Sequence, residues 1–122
     1  MVAPGKWGPN NALAPIYADD VNKLYAIENK PSVLWIRGDS DQIVSDSSFF
    51  ELGTLGQLGA VPGWPGADVF PAQPMVGQTR AVLEQYGDYK EVVLEDTAHS
   101  PYIEKPDEFN QHFHAHLQQF DA

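Results

Sequence analysis

The 122-residue chain contains no cysteine. That removes disulfides, thiolate metal sites and a cysteine nucleophile together, and it fits a reducing compartment. Basic residues are few: seven Lys and Arg stand against seventeen Asp and Glu, a formal net charge of −10. So acidic a chain repels phosphate backbones and anionic lipid, so neither nucleic acid nor a membrane surface is an expected partner. No apolar run approaches the roughly eighteen residues that a membrane span requires. Residues 1–11 lack the apolar segment of a secretory signal, and the expected location is cytoplasmic. There is no internal repeat and no low-complexity tract.

What is present alternates between helical and strand patterns over a length suited to one domain. Tyr17, Val21, Leu24 and Tyr25 recur at helical spacing, with Asp19 and Asp20 near the start, which predicts a helix over residues 14–30 stopped by Pro31. Residues 32–37, S-V-L-W-I-R, form a short apolar run of the kind that fills a strand buried on both faces, with Trp35 in the core. Gly38 to Asp41 follows as a turn, and a short helix is predicted over residues 46–52. Residues 53–77 are rich in Gly and Pro but carry Trp64, Phe70 and Met75, so this excursion reads as a lid or pocket wall. Met75, Thr79, Val82, Leu83 and Tyr86 then mark a helix closed by Gly87. Residues 91–95 read as a second buried strand. Residues 106–120 read as a final helix, with Phe109, Phe113, Leu117 and Phe120 on one face. This order predicts an α/β protein with a parallel sheet.

In such sheets ligands bind beyond the carboxyl ends of the strands. Each predicted strand delivers an ionisable group there, Asp41 after the first and His99 after the second. A carboxylate that accepts from one imidazole nitrogen fixes the tautomer and leaves the other nitrogen to move a proton. Asp39 as a turn cap and Asp46 as a helix N-cap are the competing acids. Glu104 and Pro106 read as structural, holding the histidine loop and starting the last helix. His112, His114 and His116 lack a third ligand at matching spacing, so no metal or other cofactor is expected.

The stretches L-W-I-R-G-D-S-D-Q-I-V and V-V-L-E-D-T-A-H-S-P-Y-I-E-K-P-D-E-F resemble the last two strand–loop units of the α/β-hydrolase fold. In that family the acid follows a G-x-x-D turn, and the histidine lies in a loop of the form (G/A)-H-x-P-x-x-E-x-P-x-x-F. The resemblance covers residues 31–120 and implies that Asp41 matches the triad acid and His99 the triad base. It makes Val44 candidate lining of a substrate pocket, to which the excursion, read as a pocket wall, adds Trp64 and Phe70. The family's nucleophile sits upstream on a G-x-S-x-G elbow, and no such motif occurs in this sequence. The expectation is therefore the C-terminal portion of a hydrolase domain. Its acid and base would serve hydrolysis of a small-molecule ester, amide or related bond, with a nucleophile the 122 residues do not contain. By itself the chain is expected to be inactive.

A second reading makes the chain a non-catalytic half-domain that acts, if at all, by binding. Under either reading two strands leave an open edge. That predicts marginal stability, a two-fold dimer through the exposed edges, or association with a separate N-terminal half.

Overall fold

The computed structural model describes residues 20–120. They divide into two compact units at the Lys30–Pro31 junction. Among the described residues before the junction lies one short helix, α1 (Asn22–Tyr25). The Asp20 carboxylate accepts the Asn22 N–H (2.9 Å) ahead of it. The predicted helix is thus shorter in its described part: it ends at Ala26, and Asn29 adopts a positive φ of 37° that no helix continues through. Residues 14–19 of that prediction lie outside the described residues.

After the junction come β1 (Val33–Gly38), α2 (Leu52–Gln57), α3 (Met75–Tyr86), β2 (Tyr89–Leu94), α4 (Pro101–Glu104) and α5 (Pro106–Gln118). The two strands pair in parallel, in a register that runs from Val33 opposite Tyr89 to Gly38 opposite Leu94. Helices and a small parallel sheet make this a mixed α/β arrangement, as expected. Both strands are displaced toward their neighbours relative to the sequence pattern: β1 includes Gly38, and β2 starts at Tyr89. Val33 N–H donates to the Asp88 carbonyl (3.0 Å) and the Tyr86 hydroxyl to the Pro31 carbonyl. These bonds hold the start of β1 against the residues that lead into β2.

The strands are not buried on both faces as their apolar composition predicts. Among the described residues only Val76, Tyr86, Val92 and Leu94 form a buried apolar core. Trp35 is half-buried rather than core, with the Arg37 guanidinium 5.6 Å from its ring centroid. A two-stranded sheet simply has too few neighbours to cover its faces. One side of β1 meets α5 across a cleft of about 410 Å³ lined by Leu34, Trp35, Ile36, Phe109, Phe113 and His116. The α5 stripe pairs Phe109 with Phe113 in a stack (6.1 Å), while Phe113, Leu117 and Phe120 remain exposed.

Two predicted features of the connection change. The helix predicted over residues 46–52 begins only at Leu52: it is α2, which runs on into the excursion. Its start is fixed by Glu51, whose carboxylate accepts from Gly53 N–H (2.8 Å) and Thr54 N–H (2.7 Å) and also from Gln73 N–H (3.2 Å). Asp46 does cap a helix, but a distant one: its Oδ1 accepts from Gly77 N–H (2.9 Å) in the first turn of α3. The excursion packs on itself, with the Trp64 ring against Gly56 and its indole N–H donating to the Phe70 carbonyl (2.8 Å). Replacing Glu51 by alanine should cost about 1 kcal/mol through the lost cap. Limited proteolysis should then cut between α2 and α3 sooner than in the wild type. Among the described residues no helix is long and apolar enough to cross a membrane.

Candidate functional site

Gly38 and Leu94 are register partners at the carboxyl ends of β1 and β2. The loops that follow therefore leave the sheet side by side. They are stitched together at once: Asp39 N–H donates to the Leu94 carbonyl (3.0 Å), and Ser40 N–H to the Thr97 carbonyl (2.9 Å). In return Thr97 N–H donates to Asp39 Oδ1 (3.3 Å). This crossing is possible because residue 38 lacks a side chain; a Cβ there would overlap the backbone carbonyls of Thr97 and Ala98. Asp96 makes the bend with φ 50°, a conformation that Asp tolerates better than most residues. Thr97 is fully buried and turns its hydroxyl back to the Glu95 carbonyl (2.8 Å).

From this junction the two predicted residues meet. Asp41 Oδ2 lies 3.0 Å from His99 Nδ1. The other carboxylate oxygen is occupied by the N–H groups of Ile43 (2.8 Å) and Val44 (3.0 Å), which fixes the plane of the acid. The Asp41 side chain is 9 % exposed and that of His99 48 %. Burial pushes the Asp41 carboxyl up, but the His99 ring and the two backbone N–H groups outweigh it, and the group is held below the usual range. Asp41 is therefore ionised near neutral pH. The histidine is steadied from the other side by Glu104 at the end of α4. Its carboxylate accepts from Ala98 N–H (3.0 Å) and Ser100 N–H (3.3 Å), the residues flanking His99.

A polar cleft of about 250 Å³ adjoins the acid, and Arg37, Asp39, Asp41, Val44, Asp46 and Arg80 are among its walls. Val44 thus lies beside Asp41. Trp64 and Phe70 do not: they line a separate cleft of about 180 Å³ with Leu52, Val61 and Pro65. Of the two competing acids, Asp46 serves α3. Asp39 takes the Ser40 hydroxyl (2.9 Å) and Thr97 N–H, which together hold its carboxyl below the usual range. Asp39 is therefore more than the local turn cap its position predicts, because it reaches Thr97 in the histidine loop. The bond between them joins positions 58 residues apart, and no local pattern announces it.

Also missed was a charged cluster on the sheet. Glu91 accepts from Arg37 Nε (2.6 Å) and, bidentately, from Arg80 Nε and Nη2 (both 2.9 Å). Arg80 and then, against the opposing effect of burial, Arg37 hold the Glu91 carboxyl down at about 2. The histidines of α5 stay apart from this chemistry. His116 Nδ1 bonds the Gln119 amide (2.9 Å), and among the described residues no three His, Cys, Asp or Glu side chains come together as a metal site.

The loops thus present a carboxylate-fixed imidazole whose second nitrogen has no hydrogen-bond partner among the described residues. Such a group can accept a proton at Nε2 and have the resulting positive charge balanced by Asp41. No serine side chain among the described residues bonds to it. Comparisons with family models, with curated proteins and with solved structures return no significant match.

Proposed function

We propose that the chain supplies the acid–histidine half of an α/β-hydrolase catalytic centre for a small ester, amide or related bond. The observation that carries this reading is the 3.0 Å contact of Asp41 with His99 Nδ1, made from the adjacent carboxyl ends of two parallel strands. In the reaction His99 Nε2 takes the proton of an attacking hydroxyl and later returns it to the leaving group. Asp41 keeps the ring oriented and stabilises the imidazolium between those steps. The nucleophile and the oxyanion donors come from polypeptide outside these 122 residues, since the sequence has no G-x-S-x-G elbow. Which bond is cleaved depends on that nucleophile and on a pocket it helps to build.

Hydrolysis of p-nitrophenyl acetate tests this division of labour. The purified chain and its His99→Ala variant should show equal background, because an acid–base pair has nothing to attack with. Turnover by the chain alone that disappears in His99→Ala would overturn the reading, by showing a nucleophile already in place. In an assembly that supplies the nucleophile, His99→Ala should lower turnover by about 10³-fold or more.

The second reading, a half-domain that binds without catalysing, draws on one observation. Neither bonded partner of the His99 loop, Asp41 or Glu104, is a nucleophile placed to attack a substrate held by Nε2. It predicts that His99→Ala leaves every activity of such an assembly unchanged.

A further inference from the structure

We infer that Asp39 is a positioning residue for the Asp41–His99 pair, a clasp that holds the acid loop and the histidine loop in register. The inference rests on the reading of that pair as an acid–histidine unit. The pair itself is a single contact between two loops, one end of which is a half-exposed ring. Something else must fix the loops relative to each other. Glu104 cannot, because it binds only the histidine loop. The sheet fixes the strands up to Gly38 and Leu94, but Asp41 lies three residues past the one and His99 five past the other. Within that interval two bonds cross directly from loop to loop: Ser40 N–H to the Thr97 carbonyl, and Thr97 N–H to Asp39 Oδ1. Thr97 is fully buried, so water does not replace its partner when the carboxylate is removed, and the N–H would be left unsatisfied. The Ser40 hydroxyl, donating to the same Oδ1, holds the Asp39 side chain in the orientation that reaches Thr97. Asp39 thus sits two residues before the acid and grips a residue two before the base.

The chemistry of the clasp separates its geometry from its charge. The role needs an oxygen acceptor at Oδ1, which asparagine retains and alanine lacks. If Asp39 acted through its negative charge on the imidazole, asparagine and alanine would behave alike.

The test is the position of the ring proton on neutral His99, read from ¹⁵N shifts of the full chain at alkaline pH and assigned by the His99→Gln variant. In the wild type the Asp41 contact should keep the proton on Nδ1. Asp39→Ala should lower the ratio of Nδ1–H to Nε2–H tautomer severalfold toward that of a free imidazole, and Asp39→Asn should restore it. Wild-type ratios in both variants would overturn the clasp while leaving the acid–histidine reading intact; so would an equal loss in both, which would assign the effect to charge. A wild-type ring already protonated on Nε2 would instead remove the reading beneath it. Should Asp39→Ala not fold, hydrogen exchange at Thr97 N–H decides. Protection in wild type and Asp39→Asn supports the clasp, and exchange as fast as an open loop amide overturns it.

Discussion

Gly38→Ala is expected to unfasten the candidate site and to destabilise the sheet by about 3 kcal/mol, the upper part of the range for an overpacked position. The added methyl group would overlap two backbone carbonyls, those of Thr97 and Ala98, rather than the tip of a movable side chain. Backbone on one side must therefore shift, and the bonds from Asp39 and Ser40 to the histidine strand and loop lie on the same few residues. The measurable result is a lower unfolding midpoint together with loss of the Asp41 contact to His99. A variant with the wild-type midpoint would show that the loops cross with more room than the structure gives them.

The second large effect concerns Glu91. Its carboxylate is shared by Arg37 from β1 and Arg80 from α3, so one group ties both strands to the crossover helix. Glu91→Ala leaves two guanidinium groups facing each other without their anion. The cost should be on the order of 2 kcal/mol, as for a lost charged hydrogen bond. It falls below the value for a fully buried pair because 41 % of the Arg80 side chain is exposed. The same cluster sets an acid limit. With Glu91 held at about 2 against an ordinary 4.5, its contribution is complete above about pH 4.5 and is lost as the pH falls from there through 2. The stabilities of wild type and Glu91→Gln, from urea unfolding at a series of pH values, should differ above pH 4.5 and approach each other toward pH 2. Parallel curves across that interval would mean that Glu91 is no better paired folded than unfolded.

The two residues that meet in the candidate site were legible because their surroundings are local. Asp41 follows a turn glycine, and His99 sits in a proline-bounded loop after an apolar run, so position and chemistry coincide within a few residues. The elements α3 and α5 were legible for the same reason: helical period, a closing Gly87 and an opening Pro106. What escaped was set by partners far along the chain. Asp46 looked like the cap of the helix beside it, yet it caps α3 thirty-one residues away. Glu51 was swallowed by the pattern of a helix it actually starts. Glu91 read as the first residue of a strand, and its two arginines lie 54 and 11 residues away. The apolar run around Trp35 predicts covered faces, and a sheet of two strands does not provide them. Trp64 and Phe70 failed to join Asp41 because the excursion folds on its own tryptophan, a contact with no periodic signature.

The central claim is that Asp41 holds His99 as an oriented proton carrier. The measurement closest to it is the protonation site of the neutral His99 ring in the wild type and in Asp41→Asn. The account predicts a proton on Nδ1 in the wild type, donated to Asp41 Oδ2 across the 3.0 Å contact. In Asp41→Asn, where the side-chain amide can present its N–H₂ to the ring, the proton should move to Nε2. A wild-type ring protonated mainly on Nε2, or a tautomer balance unchanged by Asp41→Asn, would contradict it.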